Sequence, residues 1–261
     1  MKILTQSHVV ITMKLVASKP KMLRVMNTSL LGGLLSASNI QVDNSSITCS
    51  DSSLQTVVSW SKFDETYFDN FIVDYKSTEI MKATDSLLKA MKDIKSSDIE
   101  LTRDDKQISL KGSSFKYSES EQTPTGTTVE VDEKTLRPSA VANEEIVSEL
   151  DIDIEELQKI PSADKYTFCI SSPGDSTFSF KVTTSDVGTL EIDLKSSNGK
   201  STNVDYKKSF SGDMFEKIIS NFDGKVHVEF GDKFLIISSV TPGVKLMFAQ
   251  ASLVDSATVT V

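Results

Sequence analysis

Apolar and polar positions along the chain fall into one succession that occurs twice. The run Val9 to Ala17 is mostly apolar and reads as a strand. A helix follows from Pro20 to Leu31, with Pro20 suited to a first turn and Met22, Leu23, Met26 and Leu30 forming its apolar face. Strand-like runs come next at Ile40 to Val42, Ser46 to Cys49 and Leu54 to Trp60. The polar start Thr84-Asp85 leads into Leu87, Leu88, Met91 and Ile94, a second helical face. Asp98 to Thr102 and Gln107 to Lys111 then read as strands about the turn Arg103 to Lys106, and Ser114 to Tyr117 closes the unit.

The second succession opens with a strand at Glu145 to Asp151 and a helix at Ile154 to Ala163, which Pro161 must fray early. Strands are predicted at Tyr166 to Ser171, Thr177 to Thr184 and Thr189 to Lys195. Ser211-Gly212-Asp213 then starts a helix with Met214, Phe215, Ile218, Ile219 and Phe222 on one face. Lys225 to Phe230 and Phe234 to Ser238 flank the turn Gly231 to Lys233, and Val244 to Ala249 ends the unit. Val73-Asp74-Tyr75-Lys76 recurs as Val204-Asp205-Tyr206-Lys207 at corresponding places, 131 positions on (204 minus 73).

Glu119 to Asn143 is rich in Thr, Glu, Ser and Pro and reads as a long connector. The predicted organisation is therefore an N-terminal domain at 1–118, a connector at 119–143 and a C-terminal domain at 144–261. Two helices and many antiparallel strands per unit predict an α+β fold in which helices cover one sheet face. At 261 residues each unit is long enough to bury its own core, and 38% hydrophobic with 25% charged residues is globular composition.

Composition argues against several functions. A net charge of −9 does not suit a conventional basic nucleic-acid-binding domain, so any DNA contact must be local. His8 and His227 are the only histidines, and Val226-His227-Val228-Glu229 alternates as an ordinary strand. There is no metal-ligand spacing, no phosphate-cradling glycine loop and no nucleophile elbow; Gly32-Gly33 reads as a helix end. The acidic Asp151, Asp153, Glu155 and Glu156 are expected to complement a helix start rather than hold an ion. No catalytic residue, metal or cofactor is predicted. Cys49 and Cys169 lie in apolar runs and are expected as reduced, buried thiols. The opening residues are interrupted by polar ones too early for a signal peptide, and no run approaches the roughly 18 apolar residues of a membrane span. A cytoplasmic protein with no membrane partner is the expectation.

Positive charge nevertheless gathers on helices. Lys19, Lys21 and Arg24 stand in the first with no acid between Ser18 and Leu31, and Lys89, Lys92 and Lys95 recur at i+3 in the second. Such stripes fit weak, sequence-independent contact with phosphates.

Cys49-Ser50-Asp51-Ser52-Ser53-Leu54-Gln55-Thr56-Val57-Val58 resembles the Met-Asp-Ser-Ser-His-Val segment of the proliferating-cell-nuclear-antigen class of DNA sliding clamps and their tailed-phage relatives. Arg137 to Ala140 and on through Glu155 to Gln158 resembles the phage clamps' entry into their second domain. Gly243 to Ala249 resembles the family's closing strand. The resemblance covers roughly residues 13 to 250.

It implies a duplicated two-domain clamp fold, with antiparallel sheets outside and two helices per domain lining a ring, most simply a homotrimer. Such a protein encircles double-stranded DNA without reading sequence, raises the processivity of a DNA polymerase, depends on a clamp loader and performs no chemistry. Implied DNA-facing residues are Lys19, Lys21, Arg24, Lys89, Lys92, Lys95, Lys159 and Lys217. The implied partner-peptide pocket comprises Leu54, Gln55, Leu136, Pro138, Phe234, Phe248 and Ala249. Subunits would join by sheet continuation through Ile108, Leu110, Phe115 and Tyr117 against Leu190, Ile192 and Leu194 of the next copy.

Departures from the pattern are informative. Ile154 to Lys165 carries Glu155, Glu156 and Asp164, and the last helix offers mainly Lys217, which argues against a uniformly positive bore. Gln250 stands where cellular clamps carry Pro and Leu54 where they carry His, so a different peptide preference is expected, along with a viral or archaeal source. An open or hetero-oligomeric clamp-like subunit and a structural β-rich viral protein are the competing readings.

Overall fold

A computed structural model describes residues 11–52, 56–75, 79–104, 107–120, 129–170, 180–184, 196–201 and 206–253. In the first half the elements are β1 (Ile11–Ser18), α1 (Lys19–Ser29), β2 (Ala37–Val42), β3 (Ser46–Asp51), β4 (Val57–Asp64), β5 (Phe71–Tyr75) and β6 (Glu79–Thr84). They continue with α2 (Asp85–Asp93), β7 (Asp98–Asp104), β8 (Gln107–Lys111) and β9 (Lys116–Ser120). A small hairpin, β10 (Val131–Asp132) and β11 (Arg137–Pro138), occupies the connecting segment. The second half runs β12 (Ile146–Asp153), α3 (Ile154–Gln158), β13 (Lys165–Ile170), β14 (Phe180–Thr184), β15 (Ser196–Ser201) and β16 (Lys207–Ser211). It ends with α4 (Gly212–Ile219), β17 (Lys225–Gly231), β18 (Phe234–Thr241) and β19 (Val244–Ala251).

The duplication is visible in strand order. One sheet runs β5-β1-β7-β8-β9, and the second half repeats it as β15-β12-β17-β18-β19. Likewise β6-β2-β3-β4 is echoed by the described strands β16-β13-β14. The halves meet where β19 pairs antiparallel with β4, from Val244↔Phe63 to Gln250↔Val57, making one nine-stranded sheet across the seam. Asp64 N–H donates to Gly243 O at 2.9 Å beside this seam. Gly243 has φ +75° and leaves no room for a Cβ, which would sit 2.8 Å from the Tyr67 backbone nitrogen.

Local sequence explains the helices. Thr84 Oγ1 accepts from Leu87 N–H at 3.0 Å and caps α2, whose Leu87, Leu88 and Met91 are buried. Met22, Val25 and Met26 of α1 and Phe215, Ile218 and Ile219 of α4 enter the same core. Gly212 starts α4 where a Cβ would collide with Ala163 O at 1.5 Å, so only glycine fits this close approach.

Some elements differ from expectation. The helix expected to Ala163 stops at Gln158, because Pro161 offers no N–H and disfavours a helical residue before it. The last strand of the first half is displaced from Ser114–Tyr117 to Lys116–Ser120, which carries it into the segment read as connector. Strand β15, Ser-Ser-Asn-Gly-Lys-Ser, carries no apolar alternation and was not predicted; pairing with β12 defines it. Thr189–Lys195 lies outside the described residues. Cys49 and Cys169 are free thiols; Cys49 is buried, which pushes its pKa up to about 12, whereas Cys169 is only partly buried.

Candidate nucleic-acid face and partner surface

α1 packs against α2, α3 against α4, and the turn after α1 (Leu31–Gly33) against α4, so the four helices form a connected row. The structure treats the eight basic residues expected there unequally. Lys19, half-buried, has a structural use: its ammonium donates to the carbonyl oxygens of Lys92, at 3.0 Å, and Ile94. It thereby satisfies the carbonyl end of α2, where the helix dipole favours a cation. Lys21 pairs with Asp69 at 2.8 Å and lies 5.3 Å from the centroid of the Tyr67 ring. Arg24 pairs with Asp223 at 2.6 Å, linking α1 to the residues after α4. Lys89 pairs with Asp85 of its own helix at 2.8 Å, and Lys159 with Glu156. Lys92, Lys95 and Lys217 are exposed and have no ion-pair partner among the described residues. Three uncommitted cations therefore remain of the eight.

The other side of the seam carries an apolar cluster of Trp60, Leu136, Phe234, Ile236, Met247 and Ala249. Of the expected pocket residues, Leu136, Phe234 and Ala249 meet there, and Pro138 is buried next to them in the connector hairpin. Phe248 is a correction. Strand alternation sends it to the opposite face, 1% exposed and 5.4 Å from the Phe222 ring in the helix-covered core. Leu54 and Gln55 lie outside the described residues. Trp60, Ile236 and Met247 were not anticipated; the only tryptophan of the chain, in a strand next to the seam, was the available signal.

The connector covers this cluster. Leu136, at φ 54°, is 4% exposed within it, and its N–H donates to Asp132 O at 2.7 Å. On one side Glu133 pairs with Lys62 of β4 at 2.8 Å and Lys245 of β19 at 2.9 Å. These two lysines, Lys62 first, hold the Glu133 carboxyl below its usual range. On the other side the Arg137 guanidinium grips buried Glu229 through contacts of 2.8, 2.9 and 3.1 Å.

His227 lies beside that grip, Nε2 3.4 Å from Glu229 and Nδ1 2.8 Å from Asp151. The Glu229 hydrogen bond, with help from Asp151, outweighs burial and raises its pKa to about 9. Burial pushes Glu229 up, but His227 and Arg137 prevail and hold it below the usual carboxylate range. Glu149, His227 and Glu229 bring possible ligand atoms within 4.8 Å of one another. The Arg137 charge already seated on Glu229 opposes a cation there, and both His227 nitrogens are engaged. Asp151 of the acidic run thus serves as the partner of His227.

At the far edge of the first half, Ile108 and Leu110 are corrections as interface residues. They are 1% and 0% exposed in the core, and β8 is paired on both sides, by β7 and β9. The outer strand is β9, which among the described residues pairs only with β8. Phe115 and Tyr117 are half-buried against the core; Tyr117 O–H and Thr84 O–H both donate to Glu119, each at 2.8 Å. Leu190, Ile192 and Leu194 lie outside the described residues.

Comparison with solved structures identifies the fold. No family model and no curated protein matches the sequence. By structure the chain is similar to a proliferating cell nuclear antigen (PCNA) of A. fulgidus, solved with the C-terminal region of FEN-1 bound to it. That likeness has 14% identity and a TM-score of 0.67, covering 94% of this chain and 99% of the other. It is similar also to Entamoeba histolytica PCNA, with 13% identity, a TM-score of 0.68, and 94% and 100% covered. A PCNA2–PCNA3 complex from Sulfolobus tokodaii matches with 13% identity and a TM-score of 0.64 over 92% and 98%. The chain has the duplicated α+β fold of the DNA sliding clamps. Its particular version is the two-domain fold of the PCNA subunit, matched over nearly its whole length.

Proposed function

We propose that this protein is a sliding clamp subunit, a non-catalytic ring component that encircles duplex DNA and tethers a DNA polymerase. The observation that carries the reading is the seam between the halves. Within one chain β19 pairs with β4, and the duplication gives β9 the place of β19 in the first half. The β9 edge is then free to receive the second half of another copy, and three copies close a ring of six units. The proposed division remains 1–118, 119–143 and 144–261.

In this reading the helix row faces DNA, and Lys92, Lys95 and Lys217 meet phosphates directly. Lys21, Arg24, Lys89 and Lys159 exchange their internal carboxylate partners for phosphate at some cost. Few uncommitted charges suit a protein held on DNA by topology, for which strong phosphate binding would oppose sliding. A clamp loader opens the ring, and partner proteins dock over the Trp60 cluster. An open or hetero-oligomeric subunit is the second reading, favoured by the polar edge Lys116-Tyr117-Ser118-Glu119-Ser120.

The test is solution mass by light scattering, followed by retention on DNA. A homotrimer has a mass of about 86 kDa, three times 28.7 kDa, and is retained on nicked circular DNA but lost when the circle is cut. A persistent monomer that never associates with circular DNA overturns the homotrimeric ring.

A further inference from the structure

The duplication allows the helix pairs of the two halves to be compared position by position. Buried Leu15, Ala17, Met22 and Val25 of β1 and α1 have buried counterparts in Leu150, Ile152, Leu157 and Ile160, each 135 positions on (157 minus 22). Buried Leu87, Ala90, Met91 and Ile94, in and just after α2, match Phe215, Ile218, Ile219 and Phe222, each 128 positions on (215 minus 87). Buried faces in register put the solvent faces in register as well. The basic Lys21, Arg24, Lys89, Lys92 and Lys95 of the first half therefore correspond to Glu156, Lys159, Lys217, Ser220 and Asp223. Five positive charges in one half stand against two bases and two acids in the other.

We propose that the second half carries an electrostatic brake on DNA contact: Glu156 and Asp223, standing where the first half has Lys21 and Lys95, occupy bases that duplex phosphates otherwise take. Glu156 holds Lys159, the one basic residue between Ile154 and Asp164. Asp223 acts across the seam between the halves and holds Arg24 at 2.6 Å. That pair borders an open groove of about 340 Å³ between Arg24, Asn27, Ser220 and Asp223, which gives a phosphate oxygen room to compete for the guanidinium. The Asp223 side chain is 75% exposed, and an ion pair so open to water is weak enough to exchange. Each phosphate that takes Arg24 or Lys159 first displaces a carboxylate, so contact on this part of the helix row stays weak and counterion release from it is small. The inference rests on the reading of the helix row as the DNA face.

The test is fluorescence anisotropy of the full-length protein with a short labelled duplex across a salt series. Glu156→Gln/Asp223→Asn should bind more tightly than wild type at low salt by roughly 2- to 25-fold, the span expected when two exposed ion pairs cease to compete. Its plot of log affinity against log salt should steepen by about 0.9 for each base released onto a phosphate. Glu156→Gln alone, which breaks only the pair at the end of α3, should move both quantities less and in the same direction. Removing two exposed carboxylates elsewhere, Glu130→Gln/Glu145→Gln, should leave the slope unchanged. The brake is overturned if Glu156→Gln/Asp223→Asn matches wild type in affinity and slope with far-UV circular dichroism unchanged, or if the control variant shifts as much. Binding of duplex by neither protein at any salt rejects the DNA face together with the brake. A failed brake with Lys92→Gln/Lys95→Gln still flattening the slope by about 1.8 leaves that face standing.

Discussion

Lys19 separates a structural from a DNA-binding use of the basic helix face. Its ammonium donates to two carbonyls at the end of α2, reached from 73 and 75 positions away in sequence. A cation at a helix C-terminus contributes about 0.3–1 kcal/mol, up to about 2 when partly buried, and a typical hydrogen bond adds about 0.5–1.5 kcal/mol net. Because these terms overlap, Lys19→Met should destabilise the fold by about 1–2 kcal/mol. With an m-value of about 2–3 kcal/mol/M, the urea midpoint falls by less than about 1 M. Under the proposed function, retention of the protein on nicked circular DNA should be unchanged, while Lys92→Glu/Lys95→Glu should weaken retention and leave the midpoint in place. The reasoning is refuted if Lys19→Met keeps its midpoint and loses DNA.

Two further outcomes follow from the site geometry. Phe248→Ala removes a ring buried against Phe222, and should cost about 3–5 kcal/mol in equilibrium unfolding; a loss below about 1 kcal/mol would place Phe248 outside the core. His227, raised from 6.5 to about 9, contributes stability that is complete below pH 6.5 and lost as pH rises through about 9. Glu229, held low, contributes stability that is present above its ordinary 4.5 and lost as pH falls through its depressed value. Wild-type stability should decline between pH 6.5 and 9, and His227→Gln should flatten that limb; parallel profiles for the two proteins would rule the assignment out.

Whatever is periodic within an element was readable in the sequence. The spacing of Leu87, Leu88 and Met91, or of Phe215, Ile218 and Ile219, marks a helix face wherever the helix later docks. The two copies of Val-Asp-Tyr-Lys with their flanking helix and strands marked the duplication, and the sheet orders repeat accordingly. The seam strands were harder to read. Residues 246–250 of β19 are buried on both faces, so apolar alternation vanishes and Phe248 cannot be told from Met247 or Ala249.

The sequence by itself determined the order of most elements and which helix stripes are apolar, because those follow from local spacing of three to four or two residues, whereas β15, with no apolar alternation, escaped it. Only the tertiary structure decided how charges are spent. Lys19 caps a distant helix, Arg24 meets Asp223, and Arg137 meets Glu229 across juxtapositions that no local pattern encodes. The same is true of the connector, whose polar composition hides one leucine seated over the seam between the two halves. Ion pairing and face selection depend on what folding brings together, and that is set by the packing of the two halves against each other.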